Sequence, residues 1–341
     1  MLEQAFGLLI NEIALDIGSA NIRVYAKSRD LFVEEPAVVI AEEQKGKYLL
    51  LEYGEQALQM VGRTPPHQQA IYPFQGGIQK HKLAEELISR VILKAIGGKS
   101  LLKPRSIVGF SQYFQEQAPK TLTSILQQTA GKDIQKINSL ICSALGCALP
   151  IENHSAMMLL NIGFSGTELG IFCHSNIYRQ KYIPIGGKHF NISIQQYIKT
   201  KYEALISAES VEQLKIDLCN LYQSIPDRTH TIPSKHTKTN QPMEITISSA
   251  DICAALKPIL RNLHQEIVSE FKQSSARVVT DLMQNGIVLC GGSAQLTDIN
   301  LYLQAQLNLP VIVIDNPQRV NVMGAAKLLS QEPYAHWFAK V

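Results

Sequence analysis

Apolar and β-branched residues open the chain in short runs, Ile13 to Leu15, Ile22 to Tyr25 and Leu31 to Val33. Runs of this length predict strands. Between the first two lies Asp16-Ile17-Gly18-Ser19-Ala20-Asn21, whose carboxylate, glycine and short polar side chains predict a hairpin tip. Further short β-type runs, Pro36 to Ile40 and Tyr48 to Glu52, suggest a small subdomain, and Gly54 to Gly62 reads as a helix ended by Arg63-Thr64-Pro65-Pro66. Ile78 to Ile96 is a long helical period stopped by Gly97-Gly98; a strand (Ser106 to Phe110), a helix (Glu116 to Ala130) and a strand-helix pair (Ile134 to Leu149) follow. The opening pattern then returns: Leu159 to Glu168 reads LLNIGFSGTE, with the strand resuming over Leu169 to Phe172. Helices are expected over Lys188 to Leu205 and from Val211, then a mobile polar excursion or hairpin over Asp227 to Pro242, then helices over Ser249 to Phe271 and Ala276 to Gln284. Gly286 to Ser293 predicts a strand running into glycines and then a helix start; Val311 to Ile314 and Val322 to Ser330 predict the last strand and helix.

Two strand-loop-strand units about half a chain apart are what a duplicated fold would show, with a nucleotide clamped between its halves. At the first loop Gly18 lets the backbone approach an anion, Ser19 and Asn21 add donors, and Asp16 orients a cation or its waters. By itself that loop reads first as an ordinary hairpin with a polar turn, and the second copy is what turns the reading toward a phosphate loop. Gly291-Gly292-Ser293 is a third place for close approach to a ligand, where a helix N-terminus would favour an anion.

The 341 residues suffice for two domains. A charged fraction of 18% and a formal net charge of +3, with no Lys/Arg run, exclude a nucleic-acid partner from the expectation. The six cysteines lie mostly in apolar contexts without a CxxC pair and read as reduced core thiols of a cytosolic protein; the nine histidines show no metal-ligand spacing. No apolar run is long enough to span a bilayer, and the first residues lack a basic leader and cleavage site. They do place Leu2, Phe6 and Leu9 on one helical face, which either docks on the protein itself or lies in a membrane interface. Leu101 and Leu102, between Lys99 and Lys103, present the same choice between core and membrane.

In order and spacing these pieces resemble the actin-like ATPases, and among them the MreB-like bacterial actins, of which this chain would be a divergent member. The resemblance spans nearly the whole chain and rests on Val33 to Val39 (VEEPAVV), Gly62 to Pro65 (GRTP), Lys103 to Arg105 (KPR), Ile185 to Gly187 (IGG), the ExxK of Glu212 and Lys215, and Val288 to Leu296 (VLCGGSAQL). It also rests on a gap-free block of Met1, Leu2, Gly7, Asn11, Asp16, Gly18, Ala20 and Asn21. It implies an α/β, actin-like (ribonuclease H-like duplicated) fold of two lobes with a nucleotide cleft. Subdomain IA would be 1–32, 74–141 and 319–341, IB 33–73, IIA 142–187 and 247–318, and IIB 188–246. It implies ATP or ADP with Mg2+, contacted by Gly18, Ser19, Ala20, Asn21, Gly163, Ser165, Gly166, Thr167, Glu212, Lys215, Gly291, Gly292 and Ser293. On the spacing of Glu212 and Lys215 alone, the pair is a solvated ion pair; the resemblance moves it to ribose and adenine. The chemistry would fall to Asp16, also the metal anchor, with Asn161, Ser139 and Glu168.

Two of these depart from the family, which usually has Asp where Asn161 stands and Glu where Ser139 stands. An amide is no anionic anchor and a serine is a poor base, so slow or absent hydrolysis is expected. Phe164 breaks the loop's glycine run and is expected to strain positions that want positive φ. The implied protein is a cytoplasmic filament former, of paired protofilaments, peripheral at the inner face of the cell membrane. It would touch lipid through Leu2, Phe6, Leu9, Leu101 and Leu102, and work with cell-wall elongation proteins to organise wall synthesis and cell shape. The alternatives are an actin-fold membrane adaptor without long filaments, and a small-molecule kinase, which would need the carboxylates that Asn161 and Ser139 replace.

Overall fold

The computed structural model describes residues 11–98, 103–117, 119–131, 133–222 and 226–330. The chain divides into two compact units, residues 1–149 with 319–341 and residues 150–318. Leu2, Phe6, Leu9, Leu101 and Leu102 lie outside the described residues.

The first unit is built on strands β1 (Glu12–Ile17), β2 (Asn21–Ala26) and β3 (Leu31–Pro36), followed by β4 (Val39–Gln44), β5 (Lys47–Tyr53), helix α1 (Gly54–Met60) and β6 (Gln68–Ile71). Then come α2 (His81–Ile96), β7 (Arg105–Phe110), α3 (Gln112–Gln117), α4 (Pro119–Thr129), β8 (Ile134–Asn138) and α5 (Ser139–Gly146). Its main sheet has the order β3-β2-β1-β7-β8. The runs on β1 and β7 pair in parallel and are buried on both faces, as a strand covered by helices on both sides must be. Since β3 pairs along β2, residues 33–36 belong to this sheet and the small sheet β5-β4-β6 begins at Val39. Helix α2 buries Leu83, Ala84, Leu87, Ile88, Val91, Ile92 and Ala95 at helical spacing, and stops at Gly97, whose φ of 83° takes the left-handed turn and lets its N–H reach the Leu93 carbonyl.

The second unit repeats the plan with β9 (Met157–Ile162), β10 (Thr167–Cys173), β11 (Asn176–Ile183), α6 (Gly187–Tyr202), β12 (Ala204–Leu205), α7 (Ala208–Leu218), β13 (Thr229–His236) and β14 (Pro242–Ser248). It continues with α8 (Ser249–Gln273), α9 (Ala276–Asn285), β15 (Ile287–Cys290), α10 (Ile299–Leu307) and β16 (Val311–Val313); the chain then returns to the first unit as α11 (Val320–Leu328). The main sheet here is β11-β10-β9-β15-β16, the same topology as the first, and β12-β13-β14 form a small sheet.

Several expectations shift. The helix expected to run to Leu205 ends at Tyr202, because Glu203 adopts a left-handed φ of 50° and Ala204–Leu205 pair with β13. The polar stretch from Asp227 becomes the β13-β14 hairpin, its exposed and covered positions alternating along β14. After Gly291 the chain makes only a 3-10 turn, Gly292–Gln295, and α10 starts at Ile299. No α-helix N-terminus therefore stands at Gly291–Ser293. The six cysteines are free thiols, all but Cys173 buried.

Candidate functional site

The two hairpin tips close alike. In the first, Ile17 pairs with Ile22 and the Gly18 N–H donates to the Asn21 carbonyl at 3.0 Å; in the second, Ile162 pairs with Thr167 and the Gly163 N–H donates to the Gly166 carbonyl at 2.9 Å. Each loop is four residues long, Gly18-Ser19-Ala20-Asn21 and Gly163-Phe164-Ser165-Gly166. None of these residues takes a positive φ, so Phe164 imposes no backbone strain, contrary to expectation. What the loop glycines provide is close approach: a Cβ on Gly166 would clash with the hydroxyl end of the Tyr182 ring, whose hydroxyl donates to the Ser165 carbonyl at 3.1 Å.

The second loop is held from behind. The Gly187 N–H donates to the Gly163 carbonyl (3.0 Å) and the Lys188 N–H to the Phe164 carbonyl (2.9 Å), so the first turn of α6 spends its free donors on the loop's carbonyls. A Cβ on Gly186 would lie 2.6 Å from the Gly163 carbonyl oxygen, which is why Ile185-Gly186-Gly187 ends in two glycines. Ser293 Oγ also donates to the Gly163 carbonyl, at 3.1 Å, and a Cβ on Gly291 would meet Asn161 Oδ1 and the Ile162 carbonyl. The structure thus brings the loop, the IGG turn and Gly291 to Ser293 together, with open space where Gly292 would carry a Cβ. Thr167 is different: fully buried, it donates to the Ile185 carbonyl at 2.7 Å and braces the loop instead of facing a ligand.

Glu212 and Lys215 on α7 are tied to α6. Lys215 Nζ donates to Glu212 Oε2 (2.7 Å) and to Asn191 Oδ1 (2.9 Å), while Asn191 Nδ2 donates to Glu212 Oε2 (2.7 Å). Lys215 is buried and Glu212 is 42% exposed in its side chain, so the pair is not the solvated contact that its i,i+3 spacing alone suggested. A buried ammonium must be paired, and a carboxylate left half open is able to accept from a ligand hydroxyl or amine. Asn191 had no signal in the sequence.

In the first unit Asp16 faces Arg23 across the hairpin. Arg23 Nη1 donates to Asp16 Oδ2 (3.3 Å), Arg23 Nε and Nη2 contact Glu34 Oε1 (2.9 and 2.7 Å), and Asn321 Nδ2 on α11 donates to Asp16 Oδ1 (3.0 Å). Burial pushes the Asp16 carboxyl above its ordinary range, against the pull of Arg23. At the equivalent point of the second hairpin Asn161 faces Glu168, which is buried. Ser139, at the start of α5, is fully buried. Among the described residues no group of three or more His, Cys, Asp or Glu could hold a metal.

The family model described as MreB/Mbl protein matches residues 10–335. The chain is 26% identical to the cell shape-determining protein Mbl of Bacillus cereus over 94% of this chain and 96% of that protein, and 25% identical to the cell shape-determining protein MreB of Escherichia coli K12 over 96% of each. The crystal structure of MreB 5 of Spiroplasma citri bound to AMPPNP is similar with a TM-score of 0.87 at 22% identity, covering 94% of this chain and 96% of that one. A MamK double helical filament chain is similar with a TM-score of 0.77 at 15% identity, over 95% and 100%. The fold is that of the actin-like proteins.

Proposed function

The chain belongs to the MreB/Mbl family, and from that membership we propose that it binds an adenine nucleotide, assembles with further copies into filaments, and acts in cell shape beneath the membrane. The observation that carries the nucleotide reading is the second hairpin loop. Its Gly163 and Phe164 carbonyls are taken up by α6 and Ser293, so they do not face an anion bound at the loop as unpaired acceptors. A similar chain, MreB5 of Spiroplasma citri, is known bound to ADP, which supports the same reading. A bound nucleotide supplies phosphate charge for the second loop and a ribose and base for Glu212, Lys215 and Asn191 to orient.

The residues present do not fit magnesium at Asp16: both of its oxygens are engaged, by Arg23 and Asn321, and Asn161 offers no charge. With Asp16 held by Arg23 and Asn321 and a neutral amide at Asn161, slow or lost hydrolysis is the expected outcome. Calorimetric titration with ADP and ATP tests binding; no heat at millimolar nucleotide overturns the reading. Filaments and lipid contact rest on the family and on the apolar pattern of Leu2, Phe6, Leu9, Leu101 and Leu102. Leu101→Ser with Leu102→Ser is expected to weaken liposome co-sedimentation while leaving polymers visible by negative stain, since each buried leucine contributes about 1.5–3 kcal/mol and a polymer adds weak contacts. Unchanged lipid binding with a lowered melting temperature would assign the leucines to a core. Lipid binding without polymers would favour an adaptor.

A further inference from the structure

We propose that Arg23 keeps magnesium from Asp16 at the first loop, so that this chain binds its nucleotide without a divalent cation. The inference rests on the nucleotide reading above and on geometry within one hairpin. Asp16 and Arg23 form the residue pair directly behind the closing pair Ile17 and Ile22, and the Arg23 side chain reaches both Asp16 and Glu34. It is built in: Arg23 is buried, fixed through Nε and Nη2 by Glu34 and through Nη1 by Asp16. Asn321 closes the other Asp16 oxygen.

A hydrated divalent cation brought to Asp16 would meet the guanidinium as a like charge in a site with little water to screen it. Displacing Arg23 instead would leave it buried against Glu34 alone, and a buried charge that loses a partner is strongly disfavoured.

The test is ADP titration of the full chain in magnesium and in EDTA. The expected dissociation constants agree within about threefold, a difference too small for a lost phosphate-bound cation. Arg23→Leu is expected to create magnesium dependence, with binding about tenfold or more weaker in EDTA than in magnesium. Because that variant leaves Asp16 without its ion pair, its melting curve is taken alongside, and Arg23→Gln, which keeps a donor toward Asp16, is read in the same way if Arg23→Leu does not fold. Binding by the unaltered chain only with magnesium overturns the inference and leaves the nucleotide reading intact. No binding in either buffer overturns both.

Discussion

Asp251 caps α8 and clamps the far end of the helix that carries the second loop. Its Oδ2 accepts from the Ser248 N–H (3.0 Å) and hydroxyl (2.9 Å) and from the Tyr202 hydroxyl (2.7 Å), and its Oδ1 takes Lys201 and, at 3.2 Å, the Tyr197 hydroxyl. Burial alone would raise this carboxyl, but the bonds from Lys201, Ser248 and Tyr202 outweigh it and hold it well below the usual carboxylate range. The unfolded chain therefore takes up this proton first as pH falls, so the contribution to stability is complete above about pH 4 and is lost toward the depressed folded value. Asp251→Asn is expected to flatten the fall in melting temperature between about pH 4 and pH 2, and to cost about 1–2 kcal/mol at neutral pH through the weakened cap and lost ion pair. Melting curves across that range read both effects. An equally steep fall in the variant would place the acid sensitivity elsewhere.

For single elements, the decisive contact is the start of α6 against the loop before it. Gly186→Ala would put a methyl 2.6 Å from the Gly163 carbonyl and 2.8 Å from the Gly166 nitrogen, neither of which is free to yield. The expected cost is about 1–3 kcal/mol of stability from overpacking, together with weaker nucleotide binding in a calorimetric titration, because the loop must leave α6 to accommodate the methyl. Both hairpins were legible in the sequence, since apolar runs broken by Gly and short polar residues admit few other structures. The turn at Gly291 to Ser293 was misread as a helix start because small residues after a strand suit a 3-10 turn equally well, and only the placing of Asn161 and Ile162 decides. Lys215 read as exposed because spacing along α7 does not show that α6 covers it, and Asn191 carried no local mark because an amide on a helix face is ordinary until its neighbours are known. Arg23 was passed over for a related reason. It sits inside a strand run, and its meaning depends on the register that sets it opposite Asp16.

At the scale of the molecule, the two units hold separate cores: Leu83, Leu87 and Val91 pack in one cluster, and Leu256, Leu260 and Leu263 in another, with no member shared among the described residues. Leu87→Ala and Leu256→Ala should each cost about 2–5 kcal/mol, and hydrogen exchange should show the loss of protection concentrated in the unit that carries the change. Uniform loss across both would mean that the units unfold as one. The first unit also contains a tight helix crossing, α5 against α11, where a Cβ on Gly324 would overlap the Cys142 carbonyl and one on Gly146 the Val320 carbonyl. The chain leaves the first unit just after α5 and re-enters it just before α11, so both covalent links are moored to this one pair. Mechanically, the pair is a cleat. With no slack between backbones, a pull on either link is borne by the crossing and not absorbed by sliding helices. Asn321, in the first turn of α11, holds the Asp16 carboxylate. The rope that enters through residue 319 is therefore made fast, two residues later, to the strand that carries the first loop.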